Sequence, residues 1–403
     1  MGKTIAEKIM SAHTDKAVSA GDLAICNIDF VMMHDVFAHI AIDSFRQMHG
    51  KKVFDPNKVA IVFDHSSPAP NNKTANIHAL TRAFAVEQGT FFYEAGEGVC
   101  HHLMIEKGHA KSGMLILGTD SHTVTYGAVG ALSTGVGATD AAVTLLTGQQ
   151  WLRVPPTIKI TYTGMLRPGC YAKDIILYTI GKMTADGCNY KSVEFYGEWL
   201  DTCCLADRVT ISNMIVEMGA KCGFTCCKEL GISADADAVY ESELNIDLGS
   251  IEPCVAFPHN VDLVRPVSEA AGIAVAQGVI GSCTNGRIED FRVAAKILEG
   301  KKIKPGCRLL IMPASNTVLK QVADEGLLNV LLGTGAALCT PGCGICCGTL
   351  GGVPADGENV IASTNRNFRG RMGNNQANVY LASPATVAAS MITGFITDPR
   401  SFL

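Results

Sequence analysis

Three short apolar runs each empty straight into residues with reactive side chains. Val59 to Phe63 is followed by Asp64 and His65, Met114 to Leu117 leads to Thr119, Asp120, Ser121 and His122, and Val279 with Ile280 precedes Gly281, Ser282 and Cys283. Runs this short, alternating with helix-period segments through most of the chain, predict α/β units around largely parallel sheets. Open sheets of that kind place ligands beyond the carboxyl ends of their strands, so the three run-ends are candidates for shared chemistry.

At about 150 residues per domain, 403 residues give roughly two to three domains. A helical stretch closing at Trp151, then Pro155-Pro156 and a strand opening at Thr157, mark one boundary. A second falls between Pro266 and Gly278. The expected division is 1–155, 156–275 and 276–403, all α/β, with no repeat or long polar linker between the units.

Hydrophobic residues make up 47% of the chain and charged residues 18%, which excludes a disordered protein. The net charge of -5 and the absence of a Lys/Arg run argue against nucleic acid or an anionic membrane as partner. Lys3, Glu7 and Lys8 interrupt the N-terminus where a secretory signal would be apolar, so the cytoplasm is the expected compartment. Gly326 to Ala355 carries no charge, yet its eight glycines, two prolines and four cysteines suit loops around a site better than a membrane helix.

Sixteen cysteines are too few for a disulfide scaffold. The ten from Cys26 to Cys254, with Cys307, lack ligand spacing and read as small, mostly buried hydrophobes. Cys343-Gly344-Ile345-Cys346 differs, because Pro341, Gly342 and Gly348 let the backbone wrap a small object and aim two thiolates at it. Alone, such a pair fits a zinc half-site, a redox pair or part of an iron–sulfur site. With Cys283 it makes three thiolates and no evident fourth, the ligand count that leaves one iron of a four-iron cluster open. Cys339, Cys343 and Cys346 also spell C-x3-C-x2-C, a radical S-adenosylmethionine spacing that would leave Cys283 a bystander.

Asp64-His65 and Asp120-Ser121-His122 set carboxylates beside imidazoles, a pairing that fixes a tautomer and suits proton transfer. His101 and His102 follow Gly96 and Gly98 at a helix start. Asn213 and Glu217 stand four apart on a helix expected from Asp207 to Gly219 and so share a face. Asn365-Arg366-Asn367-Phe368-Arg369-Gly370-Arg371 offers three guanidiniums that can grip carboxylates by paired hydrogen bonds.

Taken in order, Asp64-His65, Gly98-Val99-Cys100-His101, Asp120-Ser121-His122-Thr123, Asn213 with Glu217, Gly281-Ser282-Cys283-Thr284-Asn285, Cys343-Gly344-Ile345-Cys346 and the Asn365-to-Arg371 segment resemble the aconitase superfamily. The likeness runs nearly end to end, and is greatest to the large subunits of the isopropylmalate isomerase group. It implies three α/β domains around a [4Fe-4S] cluster held by Cys283, Cys343 and Cys346, without the fourth, swivelling domain. Asp64 and His65 would protonate a departing hydroxyl, and His101, Asp120, His122 and Glu217 would form the surrounding acid–base network. Arg366 and Arg371, with His34 and Asn365, would meet the substrate, and Asn213, Asn285 and Asn365 would hydrogen-bond around the cluster. The implied chemistry is removal and re-addition of water in a small anionic hydroxy acid.

In such proteins a serine on the mobile domain abstracts the carbon-bound hydrogen. Here that serine is expected on a separate small subunit, without which turnover should be negligible. Three features depart from the family pattern. His34-Asp35 replaces a Gln-Asp pair, and Val36-Phe37-Ala38-His39 lacks the Thr-Gly common in the isomerase group; His102 also stands where glutamine is usual. These weaken aconitase itself and leave isopropylmalate first among dimethylmalate, citramalate-type and homoaconitate-type acids. Competing classes are the radical enzyme, a cluster-bearing RNA-binding regulator and a structural zinc protein.

Overall fold

The computed structural model describes residues 2–403. Three main sheets stack along the chain. The first is five-stranded and wholly parallel, in the spatial order Phe91–Tyr93, Val59–Val62, Phe30–His34, Leu115–Gly118, Leu132–Gly135. Its central strands Phe30–His34, Val59–Val62 and Leu115–Gly118 are buried along their whole length, as strands covered on both faces by helices must be. The chain lays strands to one side of Phe30–His34 and then returns to the other with Leu115–Gly118, so strand order reverses between those two.

The second sheet runs Cys222–Thr225, Ser192–Tyr196, Thr157–Thr163, Ser242–Asp247, again parallel. The third has seven strands in the order Val264–Pro266, Cys254–Ala256, Asn378–Leu381, Asn359–Ala362, Gln277–Gly281, Arg308–Met312, Ala337–Leu338. Its order reverses between Gln277–Gly281 and Asn359–Ala362. The strands at Cys254–Ala256 and Val264–Pro266 pair antiparallel at its edge, so chain before the boundary expected at Pro266 to Gly278 already belongs to the third sheet.

Trp151 ends no helix. The helix Ala138–Thr147 stops at Gly148, whose φ of 70° is open to glycine, and Gln149–Arg153 is a strand paired antiparallel with Leu23–Asn27. Elsewhere the helices follow their sequence signals. Asn71 caps Asn72–Gln88 by accepting from the Thr74 amide, and Gly89 closes it. In Ile288–Leu298, Phe291, Ala294, Ala295 and Leu298 recur at helical spacing and are buried against the third sheet; the Phe291 side chain alone contributes about 1.5–3 kcal/mol. Among the described residues no helix is long and apolar enough to cross a membrane.

Candidate active site

The two strand-order reversals face one cavity of about 370 Å³. From the first sheet come His34 at the end of its strand and Thr119 and Asp120 just past the neighbouring one; from the third come Cys283, Asn365 and Arg366. The crevice at such a reversal is where open α/β sheets bind ligands, because the connections diverge there and leave the strand ends uncovered.

Asp64, His65, Asp120 and His101 form a hydrogen-bonded row. His65 Nδ1 lies 2.8 Å from Asp64 Oδ1, His65 Nε2 3.5 Å from Asp120 Oδ2, and His101 Nε2 2.8 Å from Asp120 Oδ1. The second Asp64 oxygen accepts from the Cys100 amide at the start of the helix Cys100–Glu106. Burial alone would lower the His65 pKa, but the Asp64 charge and the hydrogen bonds to Asp120 and Asp64 hold it well above the ordinary imidazole range. Asp120 is the complement: burial would raise it, while His101, His122 and His65 hold it well below the usual carboxylate range. The two carboxylates therefore favour the protonated form of His65. His34 stacks on it at 4.1 Å between ring centroids, and burial, with the His65 charge, lowers His34 to about 4.

A second row joins the other layers. His122 Nε2 lies 2.9 Å from Glu217 Oε1, which also accepts from Arg366 Nε at 2.8 Å. Glu217 is not on the α-helix expected through Gly219. The α-helix ends at Met214 and Ile215–Met218 continues as a tighter 3-10 turn, yet Asn213 and Glu217 both still reach the site.

Cys283 and Cys343 line the cavity, and Cys346 lies behind it against Arg371 and Asn365, which do line it. Cys283 sits in a strained turn, for Gly281 has φ 147° and Ser282, unusually for a residue with a side chain, 75°. Asn213 Nδ2 and Asn365 Nδ2 donate to the Cys283 sulfur at 3.2 and 3.4 Å, and Arg371 Nη2 to that of Cys346 at 3.2 Å. Burial pushes the Cys283 thiol up to about 11, with Cys346 adding to it. The Cys343 hydrogen bond and then the Arg371 charge, against burial, draw Cys346 well below the ordinary thiol range. Nitrogen donors aimed at the Cys283 and Cys346 sulfurs suit thiolate ligands of a metal, whose positive charge offsets the cost of burying them. The residues present fit an iron–sulfur group.

Three expectations need correction, and His102, to which no role was assigned, stays outside the cavity. Asn285 turns away, its amide donating to Asp290 at 2.9 Å and to Thr210 at 3.3 Å, so it holds the turn rather than facing the sulfurs. Arg369 is outside the cavity and donates to the Asn375 carbonyl. His102 pairs with Glu106 one helical turn on. Cys204 is exposed, not buried. Sequence reading also passed over Cys347 and Thr349, which line the cavity; the signal for Cys347 was its place directly after Cys346. Cys339, whose thiol is directed to the Ala337 carbonyl at 3.8 Å, does not line it.

Residues 7–230 and 268–394 match the aconitase family (aconitate hydratase) model. The chain is 46% identical to the 3-isopropylmalate dehydratase large subunit 1 of Methanopyrus kandleri and 44% identical to that of Thermotoga maritima, with all of both chains covered in each case. It is 46% identical to the large subunit 1 of Pyrococcus furiosus, with 99% of each covered. The holo-form of Thermococcus kodakaraensis aconitase X shares the fold, at 11% identity and a TM-score of 0.53 over 90% of this chain and 89% of that one. A cavity of this make-up, on a sequence matched almost throughout, places the chain in the aconitase family.

Proposed function

We propose that the chain is the large subunit of a [4Fe-4S]-dependent hydro-lyase that interconverts 2- and 3-isopropylmalate for leucine biosynthesis. Enzymes of the aconitase family use iron–sulfur clusters, and Cys283, Cys343 and Cys346 would hold one here. When bound, it supplies a Lewis-acidic iron with an open position for the substrate's hydroxyl and a neighbouring carboxylate. The observation that carries the proposal is that Cys283, Cys343 and His65 line one cavity, with Cys346 behind it against Arg371 and Asp64 bonded to His65 Nδ1.

The chain's own residues divide the remaining work. His65, held protonated by Asp64 and Asp120, gives its Nε2 proton to the departing hydroxyl and recovers it when water returns. Arg366 and Arg371 bind substrate carboxylate, with Glu217 fixing Arg366. Asp120, His101 and His122 keep the acid's orientation and charge. Asn213 and Asn365 orient the sulfur of Cys283.

The relatives are named as large subunits, and abstraction of the carbon-bound hydrogen still calls for a base. A separate small subunit would bring that base, a serine on a swivelling domain. The test is anaerobic reconstitution with iron and sulfide, then assay with 3-isopropylmalate with and without the small subunit. The expected result is a bound cluster in both samples and turnover only with the partner. Robust turnover by this chain alone would refute the division of labour.

A further inference from the structure

We infer that Val36 and Phe37 form the seat for the substrate's alkyl branch. This rests on the alkylmalate hydro-lyase assignment above and adds to it where specificity lies in this chain.

The cavity wall is chemically one-sided. Apart from cysteine thiols, its side chains are imidazoles, one carboxylate, hydroxyls, an amide and guanidiniums, except for Val36 and Phe37. These two are consecutive, in the first turn of the helix Asp35–Gln47 that leaves the first sheet at its strand-order reversal. Both guanidiniums, Arg366 and Arg371, come from the third sheet's side. A substrate with one end anionic and another apolar matches that division.

The apolar pair is also held in place. Asp35, beside it, accepts from the amides of His65 at 3.0 Å and Ser66 at 2.7 Å and lies 3.3 Å from His78 Nε2, so the first turn of this helix is fastened to the loop carrying the acid. Phe37 sets its ring edge-on to His34, at 5.2 Å and 82°, and remains 43% exposed. A phenyl ring left that open at a cavity mouth gains when an apolar group covers it. A carboxylate placed there would meet two apolar side chains in place of the guanidiniums that line the other side. The wall therefore accepts an isopropyl group and disfavours the third carboxylate of citrate-like acids.

The test uses the reconstituted holoenzyme with its small subunit and compares 3-isopropylmalate with 3-methylmalate and citrate. In Phe37→Ala the ratio of kcat/KM for 3-isopropylmalate over 3-methylmalate should fall about tenfold or more, since even one methylene in an apolar pocket discriminates by roughly 10- to 200-fold. Phe37→Leu should restore most of that ratio, and Val36→Ser should lower it in the same sense. Calorimetry with 2-isopropylsuccinate, which lacks the reacting hydroxyl, should show weaker binding to Phe37→Ala and no change for succinate. If the wild-type enzyme turns over 3-isopropylmalate while all three ratios stay put, the seat is refuted and the hydro-lyase assignment stands. If the wild-type enzyme keeps its cluster and prefers citrate, both fall together.

Discussion

One carboxylate oxygen, Glu217 Oε1, accepts from Arg366 Nε at 2.8 Å and lies 2.9 Å from His122 Nε2. Arg366 thus spends its Nε on the protein and keeps its terminal nitrogens for a ligand. Lysine has one nitrogen and cannot do both. Arg366→Lys should cost about 1.5–3 kcal/mol of binding, roughly 10- to 100-fold in kcat/KM. Glu217→Gln should give a smaller loss of the same kind, and steady-state kinetics of both variants check the order.

The sulfurs make a second prediction. Cys283→Ser and Cys346→Ser should abolish the visible absorbance of the anaerobically reconstituted chain, whereas Cys339→Ser should leave it intact, because the Cys339 thiol lies away from the cavity. Loss of absorbance in Cys339→Ser with retention in Cys283→Ser would instead select the C-x3-C-x2-C triad.

Much of this was legible because strand ends in a parallel α/β fold are local events: an apolar run and the reactive residues after it are contiguous, so Asp64-His65, Asp120 and Cys283 could be picked out before any tertiary contact was known. What could not be read depends on partners far along the chain. Gln149–Arg153 is a strand because Leu23–Asn27 pairs with it. Asn285 sits among motif residues, but which way its amide turns is set by Asp290 and Thr210. Val36 and Phe37 looked only like a departure from pattern until the cavity showed them to be its apolar wall.

His65 supplies a pH signature. Its folded-state pKa is raised, so the stability it contributes is complete below the unfolded imidazole value of about 6.5 and disappears as pH rises through the folded value. The acid form, and with it activity, should persist above pH 6.5. His65→Gln should lower kcat by about 10²- to 10⁴-fold. A wild-type pH–kcat profile collapsing near 6.5 would contradict the assignment.

Asp35 shifts the opposite way. Burial would raise it, but the His78 hydrogen bond, the His65 charge and the His65 and Ser66 amides bring it to about 2. A depressed carboxylate contributes stability above its unfolded pKa, lost as pH falls through the folded one. The difference from 3.8 is worth about 2 kcal/mol, to be lost between roughly pH 4 and 2. Urea titrations at stepped pH should show that loss in the wild type and not in Asp35→Asn.

A Cβ at Gly342 would stand 2.7 Å from the Asp64 carbonyl oxygen, which is itself the acceptor for the Cys343 amide at 2.7 Å. Gly342→Ala should therefore destabilise the chain by about 1–3 kcal/mol and lower its iron content, measurable by thermal unfolding and metal analysis.

That same contact joins residues 279 positions apart through main-chain atoms alone. Peptide groups are common to every amino acid, so the seam between the acid and the metal loop is indifferent to substitutions at Asp64 or Cys343. Lineages of this fold are free to exchange the chemistry on either bank while inheriting the distance between the banks unchanged.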